Sequence, residues 1–529
     1  MKGRLSVLLG VAALFVGLLG PAASSDARQS KGGWAAHQVA LRDLRRYGYL
    51  VGDQARFDRL KADAAARAAR LHPRANRPTR AANPVAGPSW KGVDENDLAP
   101  PDTTGAMGPQ RYIEAINLQL AIYSRAAALL SNRTMAQMTG SSDFLSDPQI
   151  EFDTASQRFA YEILDATDDT LFVGFSKTNN PSNLTTDFCT YKFDFGWGAL
   201  LPDYPKLGNT TDFWLIGVNL YAGQAFVGSD VAWMTKPGPG ALQSCPAQTS
   251  FKTGKQTMLM SDDMTLSSTP EPAKQADQSA TGWIVAVPDP TNSGASGTKL
   301  ELYKVTKNPD GTANIQKVGT PVAVPFYSPP SPAPQMGGAH TIDTLDGRLI
   351  NATSSVDPAH GTSMALWTSH AVFGGGGSQV NWYEIDVANA ALFQSGVASN
   401  ANLYAFNGAI SSDRAAGGTV HAFGSDMVVG FTTSSASAFP AIQMVSKIAA
   451  GPQSGFVMVK QSPGPDEGFD CFELQRCRWG DYGGASPEPL VPTVLGATKG
   501  FVWLTNEWVN GMTDPLNATW RTWNWRAEP

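Results

Sequence analysis

Short runs of β-branched and aromatic residues alternate with turn-forming residues from Trp90 to the C-terminus of this chain. Representative runs are Arg158–Leu164, Phe213–Val218 and Gly500–Leu504. Runs of this length, bounded by Gly, Pro, Asn, Asp and Ser, are typical of short strands joined by turns. The pattern predicts an all-β body, in which only the Ala-rich stretch Val387–Leu403 has helical character.

The amount of predicted strand indicates how the body is built. About 440 residues of this pattern are too many for one sandwich, and radial repetition of small sheets accommodates them. Polar turn motifs that we take as the beginnings of blades contain Asp102, Asp147, Asp203, His340 and Asp481. The two longest spacings each leave room for one more blade, given known propeller repeats of about 40 to 50 residues. We therefore predict a single β-propeller of seven blades, with six longer blades as the alternative.

Aromatic residues near the C-terminus indicate how the ring closes. As a strand, Thr519–Trp525 would place Arg521, Trp523 and Trp525 on one face and Trp520 on the other. Open sheet edges are prone to unwanted pairing and are normally protected. We therefore predict that this segment pairs near Gly87–Trp90.

The N-terminus has the pattern of a secretory signal peptide, predicted over residues 1–25. A basic start precedes the apolar run Leu5–Leu19, and small residues follow it. A membrane-spanning helix needs about 20 apolar residues, so this run is too short to be an anchor. The predicted location is secreted, either extracellular or periplasmic, with no membrane span.

Residues 26–89 are predicted to be a basic helical leader followed by a Pro-rich linker, and residues 90–529 to be the propeller. Helical spacing is visible at Phe57, Leu60 and Ala64, and prolines then break the chain. This leader is a pro-segment, an electrostatic clamp on the acidic body, or a loosely ordered terminus.

Charge separates the leader from the body. Residues 1–90 contain 15 Lys and Arg against 5 Asp, a net charge of +10, whereas residues 91–529 carry −16. An acidic body excludes nucleic acid as a partner, because phosphate binding needs a cationic surface. The predicted partner is a glycan or another cell-surface ligand, and the predicted state is a monomer.

Four cysteines in an exported chain predict two disulfide bonds. Three pairings are open, and proximity in sequence favours Cys471–Cys477, which leaves Cys189–Cys245. No C-x-x-C motif is present, so we do not expect these thiols to bind metal.

Four motifs occur in an order that resembles a known group of proteins. They are Pro100–Pro109, Asp147–Asp153, Asp203–Lys206 and Arg478–Tyr482. Together they resemble secreted bacterial β-propellers, mostly without an assigned activity, that are loosely similar to sialidase and BNR-repeat domains. The resemblance covers about residues 98–525 and implies the propeller fold. The chain departs from sialidases, because it has no Asp-box repeats and Arg478 is the one evident candidate for an arginine triad.

In a propeller the innermost strands line an axial channel, so the residues where these strands begin gather on one face. The candidate catalytic residues on that face are Asp102, Asp203, His340, Arg478 and Asp481, with Asp147 beside them. The candidate binding residues are Tyr204, Lys206, Trp479 and Tyr482. Two carboxylates can serve as general acid and as base or nucleophile on a glycosidic bond, and their mutual repulsion raises the pKa of one. Aromatic rings at the same mouth could stack on sugar faces.

Each of these residues also has a structural interpretation. The aspartates fit turn capping, Arg478 and Asp481 fit a buried ion pair, and His340 fits a hydrogen-bonded structural role. The leading functional hypothesis is a carbohydrate-active enzyme, a glycoside hydrolase or polysaccharide lyase. The alternatives are a non-catalytic glycan- or protein-binding propeller, such as a lectin or adhesion module, and an inert structural propeller. No cofactor is certain and the metal ligands are unknown, although calcium is an open choice because Asp94–Asp97 offers carboxylate oxygens.

Overall fold

Strands form nearly all of the regular structure after residue 84 in the computed structural model, which describes residues 54–71, 82–288, 297–417, 420–491 and 499–529. The α-helices in this part of the chain are α1 (Gln54–Ala68), α2 (Met135–Thr139) and α3 (Phe469–Leu474). Two 3₁₀ turns span Gln248–Ser250 and Pro358–His360. None of the described helices has the length and apolar character needed to cross a membrane. The predicted signal peptide and residues 26–53 of the leader lie outside the described residues.

The strands follow one another around the ring. The strand order begins with β1 (Val85–Lys91), which belongs to the last blade. The first blade contains β2 (Thr104–Met107), β3 (Arg111–Ile116), β4 (Gln119–Ser124) and β5 (Leu129–Thr134). The second blade contains β6 (Leu145–Asp153), β7 (Arg158–Asp165), β8 (Thr170–Ser176) and β9 (Phe188–Phe193). The third contains β10 (Leu201–Asn209), β11 (Phe213–Ala222), β12 (Ala225–Thr235) and β13 (Thr253–Thr257).

The next segment supplies β14 (Ser267–Pro272), β15 (Lys274–Gln275), β16 (Gly282–Pro288), β17 (Gly297–Lys307), β18 (Ala313–Lys317) and β19 (Val322–Tyr327). The fifth blade contains β20 (Leu349–Val356), β21 (Met364–Val372), β22 (Gln379–Asp386) and β23 (Ala391–Ala398). The sixth region contains β24 (Tyr404–Ser412), β25 (Ala415–Gly417), β26 (Val420–Ala422), β27 (Met427–Ser435), β28 (Ala438–Lys447) and β29 (Val457–Gln461). The last strands are β30 (Gly484–Pro487), β31 (Val502–Val509) and β32 (Trp520–Glu528).

These strands form a seven-bladed β-propeller. The innermost strands of successive blades are β2, β6, β10, β14, β20, β24 and β30, and each one contacts the next around the axis. Most blades are four-stranded antiparallel meanders. In the fourth blade β19 adds to β17, and in the fifth the short β15 pairs in parallel with β20. The fourth blade begins at Ser267 and the sixth at Tyr404, within the two long spacings that predicted hidden blades.

The hydrophobic core lies between the blades. Seven apolar clusters of the described residues each join one blade to the next, so every blade packs its two faces against its neighbours. Between the second and third blades, Phe175 stacks on Trp214 with ring centroids 5.0 Å apart. Burial on both faces explains why many strands are almost continuously apolar instead of strictly alternating.

The ring closes between the two ends of the body, as predicted. β1 pairs antiparallel with β32, with Ser89 opposite Trp525 and Trp90 opposite Asn524. The seventh blade therefore takes its outermost strand from the start of the body and its other three strands from the end. β1 begins at Val85, a few residues before the boundary placed at residue 90. Closure leaves the ring without a break between the first and last blades.

The Ala-rich stretch 387–403 forms strand β23, with turns on either side, and no helix. It pairs along β22 as the outer strand of the fifth blade. The row of backbone hydrogen bonds offered by β22 outweighs the helix propensity of alanine, which is high but readily overridden by tertiary context.

Both predicted disulfide bonds are present. Cys189 of β9 bonds to Cys245, and Cys471 of α3 bonds to Cys477. The second bond closes the loop directly before Arg478, and it holds that loop next to the start of β30.

Candidate functional site

A backbone feature recurs where the innermost strands begin. Residues with left-handed backbone conformations, unusual for side chains other than glycine, occur at or just before six of the seven innermost strands. These residues are Asp102, Asp147, Tyr204, Thr269, Leu345 and Asn407, with φ of 47°, 53°, 56°, 51°, 60° and 51°. Four of them sit where the pairing to the next strand shifts register, that is, in β-bulges. A bulge redirects side chains, and here it places a polar group at the axial mouth of most blades.

This repeat has a sequence signal that extends beyond the predicted motifs. Asp147, Tyr204 and Thr269 are each followed by proline and then by a polar residue. Thr269 lies in the innermost strand of the fourth blade, which is predicted only from the spacing of the other motifs. The polar residue of this third instance, Glu271, is buried beside the axis.

Asp102 lies at the start of β2 and is 2% exposed. One carboxylate oxygen accepts a hydrogen bond from Asn117 Nδ2 at 2.9 Å, and the other accepts from the backbone N–H of Asp481 at 2.7 Å. Burial raises its pKa well above the usual range, and the carboxylates of Asp481 and Asp147 raise it further. Both oxygens of Asp102 are therefore engaged in joining the first and last blades.

Asp147 and Asp203 are partly exposed at the mouth. The backbone N–H of Asp147 donates to Asn117 Oδ1 at 2.7 Å, so Asn117 links this residue to Asp102. Burial raises the pKa of Asp147 to about 7, with Asp203 as the next largest cause and Asp481 after it. The two carboxyl groups are thus electrostatically linked, and Asp147 keeps its proton below about pH 7.

Arg478 and Asp481 form a buried ion pair, with Arg478 Nη2 donating to Asp481 Oδ1 at 2.6 Å. Asp481 and other carboxylates, including Asp343 and Asp102, hold the pKa of Arg478 above its usual range despite burial. The guanidinium therefore supplies a permanent positive charge among the aspartates of the mouth.

Lys206 lies between two aromatic rings. Its ammonium is 3.9 Å from the ring centroid of Tyr204 and 3.6 Å from that of Tyr482. It also donates to the Ile350 carbonyl at 3.3 Å, while Glu271 lies 4.0 Å away. Burial lowers the pKa of Lys206 to about 8. The predicted binding residues Tyr204, Lys206 and Tyr482 thus form one cation–π group.

The predicted binding residue Trp479 is fully buried. Its indole N–H donates to Thr432 Oγ1 at 3.0 Å, and its ring packs edge-on against Phe406. The side chain joins the core between the last and first blades. In this arrangement no face of the indole is available to a sugar.

We expect Trp479→Ala to lower the free energy of unfolding by about 3 to 5 kcal/mol, because it removes a large buried ring and leaves a cavity. Chemical denaturation of both proteins measures this difference. A variant that unfolds like the wild type but loses ligand binding would contradict the core role and restore the predicted binding role.

His340 lies in the loop before β20. Its Nδ1 is 2.7 Å from Glu467 Oε2, and its ring packs edge-on against Phe472. The backbone N–H groups of Ala339 and His340 donate to the other oxygen of Glu467. The structure therefore places His340 with the segment around α3, whereas Asp102, Asp147, Asp203 and Asp481 are linked to one another.

Helix α1 covers the mouth. Its buried residues Phe57, Lys61, Ala64 and Ala68 recur every three or four positions and form one face. Phe57 packs in an apolar cluster whose other members are Tyr204, Leu345, Ile350 and Tyr482. Lys61 Nζ donates to the Leu345 carbonyl at 2.7 Å and to Thr344 Oγ1 at 3.1 Å. The basic leader is thus ordered over this helix and contacts two predicted binding residues.

The acidic turn Asp94–Asp97 is already supplied with cations. Asp94 Oδ2 lies 2.8 Å from Lys91 Nζ and 2.9 Å from Arg521 Nε. Glu95 accepts from the backbone N–H groups of Asn96 and Asp97 and from Gln119. Lys91 and Arg521 neutralise Asp94, whereas Glu95 accepts only from uncharged N–H groups.

Neither a family model nor a curated protein matches this chain. Among solved structures, it is similar to the exo-β-1,3-galactanase from Phanerochaete chrysosporium, with TM-score 0.30, 9% identity, and coverage of 72% of this chain and 94% of that one. It is similar to the Synechocystis apocarotenoid oxygenase, with TM-score 0.34, 10% identity and coverage of 68% and 71%. A neuraminidase-like protein of A/flat-faced bat/Peru gives TM-score 0.28, 11% identity and coverage of 53% and 70%.

Likenesses this weak carry no argument about activity. The class of this protein rests on its own seven sheets and on its axial mouth. It is a seven-bladed β-propeller whose mouth contains linked carboxylates, an arginine and a lysine–tyrosine group, with helix α1 over them.

Proposed function

We propose that this chain is a secreted carbohydrate-active enzyme, a glycoside hydrolase or polysaccharide lyase, whose site is the axial mouth. The observation that carries the proposal is the partly exposed pair Asp147 and Asp203, in which Asp147 has a pKa of about 7. One protonated and one ionised carboxyl group is the combination that cleavage of a glycosidic bond needs.

The surrounding residues have distinct parts in this proposal. Asp147 donates the proton to the leaving oxygen, and Asp203 acts as base or nucleophile. Arg478, paired with Asp481, stabilises the negative charge of the site, and Asp102 positions the backbone of Asp481. Withdrawal of Phe57 would expose the apolar cluster that contains Tyr204 and Tyr482, and a sugar could pack against it. His340 remains a predicted catalytic residue, acting only if its loop moves towards the axis.

The test is a screen of purified chain lacking residues 1–81 against a panel of plant, bacterial and animal polysaccharides. Reducing-end formation and the absorbance of unsaturated products distinguish hydrolysis from lyase cleavage. We expect release from at least one polysaccharide and its loss in Asp147→Asn. No product from any polysaccharide under conditions where one binds saturably would refute catalysis.

A non-catalytic protein-binding propeller is the second candidate, and one observation favours it. The mouth already holds a helix, with Phe57 in an aromatic cluster and Lys61 on backbone carbonyls, as in the recognition of a peptide helix by a groove. In that case the physiological ligand is a helix of another protein that displaces α1. Saturable binding of such a helix without any polysaccharide turnover would support this function over the first.

A further inference from the structure

Two carboxylates and an imidazole meet at the end of the fifth blade opposite the mouth. Asp357 follows β20, His360 ends the 3₁₀ turn after it, and Glu384 lies in β22. One potential ligand atom from each lies within 4.8 Å of the other two. We infer that these three side chains bind a divalent zinc-class metal ion. The inference is independent of the proposed function, because the innermost strands begin at the mouth and Asp357 follows the far end of β20.

In each of the two carboxylates, one oxygen accepts a hydrogen bond from a neighbour, which leaves the other oxygen to bind the metal. Asp357 Oδ1 accepts from the backbone N–H of Ala359 at 2.8 Å, which leaves Oδ2 towards His360 Nε2, 3.6 Å away. Glu384 Oε2 accepts from Gln394 Nε2 at 2.6 Å. Such outer contacts orient metal ligands in known sites.

The imidazole is also fixed in place. His360 stacks on Phe393 with ring centroids 3.8 Å apart and an interplanar angle of 7°. Its side chain is 37% exposed, which gives an ion a route from solvent to the site. The stacked ring turns Nε2 towards the carboxylates.

Burial makes a cation at this position favourable. Glu384 is 0% exposed and Asp357 is 1% exposed. Glu384 Oε1 has no N–H donor among the described residues, and the group beside it is the Asp357 carboxyl. An unpaired carboxylate oxygen away from water is costly, and a second carboxylate beside it adds repulsion.

Another acidic cluster in this chain differs from the proposed metal site because a lysine neutralises it. Asp143, Asp165 and Asp168 also converge, but Lys192 Nζ lies 3.3, 2.7 and 2.5 Å from their oxygens. At the Glu384 cluster the neighbouring Lys447 instead donates to Gln394 Oε1 and the Ala449 carbonyl. Lys192 thus forms ion pairs with the Asp143, Asp165 and Asp168 cluster, whereas Lys447 acts on Glu384 and Asp357 only from beyond ion-pair distance.

The donor set indicates which ion fits. Calcium and magnesium prefer sites made wholly of oxygen, whereas imidazole suits zinc and its neighbours in the first transition row. One histidine and two carboxylates provide three ligands, and water can complete a tetrahedral zinc site. Binding would tie the turn after β20 to β22 and stabilise this edge of the fifth blade.

The test uses the full chain without a histidine tag, freed of metal by a chelator and titrated with zinc chloride by calorimetry. We expect one equivalent to bind and the melting temperature to rise. His360→Phe keeps a ring on Phe393 but removes the ligand nitrogen, so it should weaken binding at least about 100-fold. Glu384→Gln should weaken binding as well.

The control is Asp168→Asn in the lysine-containing cluster, which should bind zinc as the wild type does. Absence of saturable zinc binding by the folded wild type would overturn the inference, because the carboxylates would then share only a proton. Wild-type affinity in His360→Phe would overturn it too, since the ion would be bound elsewhere.

Discussion

Deleting residues 1–81 should open the axial mouth and leave all seven blades intact, because β1 begins only at Val85. The deletion removes the side chain of Phe57 from the apolar cluster around Tyr204 and Tyr482. Burial of a Phe side chain stabilises by about 1.5 to 3 kcal/mol, equivalent to roughly 10- to 150-fold in an equilibrium constant. Ligand binding at the mouth should therefore tighten by about that factor in the shortened chain.

A synthetic peptide of residues 54–71 tests the same packing without a known ligand. Calorimetry should detect one peptide bound per shortened chain and none bound to the full chain, whose mouth is already covered. Phe57→Ala in the peptide should weaken binding by the factor above. Arg59→Ala is the matched control, because Arg59 is exposed on the opposite face of α1. A peptide that binds neither protein would show that α1 does not cover the mouth in solution.

Charge adds to the attraction between α1 and the body. The leader is basic and the body acidic, and Lys61 is buried beside the carboxylate of Asp343, which opposes the effect of burial on the lysine pKa. Burial nevertheless lowers the pKa of Lys61 to about 8. Above that pH the ammonium loses its proton and its attraction to Asp343. Because burial disfavours the charged form by more than Asp343 favours it, docking of the peptide releases this proton above pH 8. The peptide should therefore bind more tightly as pH rises from 7 to 9, whereas higher salt should weaken binding through the exposed arginines.

The sequence predicted the architecture well because its signals are local. Short apolar runs gave the strands, turn motifs gave the repeat length, and proximity gave the Cys471–Cys477 pair. The predicted pairing of Trp525 with the region of Trp90 also holds, because ring closure is a general requirement of propellers. The fourth and sixth blades follow only from the spacing of the other motifs, since Thr269 and Asn407 stand where the first two blades have aspartate.

The site was harder to predict because its members meet through the fold. Asn117 lies in a turn of the first blade, and nothing in its local sequence indicates that it bridges Asp102 and Asp147. Trp479 and Tyr482 stand in one motif, yet a three-residue separation puts one in the core and the other at the mouth. His340 follows a polar turn like the others, but β20 begins only at Leu349, so the histidine lies in a loop beside Glu467.

Asp147→Asn should reduce polysaccharide turnover about 10²- to 10⁴-fold, the usual contribution of a general acid. The raised pKa of about 7 means that Asp147 is protonated below neutrality and ionised above it. An acid must hold its proton to donate it, so the wild-type rate should be level on the acid side of pH 7. Above pH 7 the rate should fall by about tenfold per pH unit, because the protonated fraction of Asp147 falls by the same factor.

Asp203→Asn provides the second half of this prediction. Removing the negative charge of Asp203 removes the largest electrostatic cause of the raised pKa of Asp147. Any residual activity should therefore begin to fall at a lower pH than in the wild type. Asp168→Asn, on the rim of the same blade, should keep both the rate and the pH profile. If Asp147→Asn lowers the rate but the variant retains the alkaline limb near pH 7, another group is the acid and Asp147 only positions the substrate.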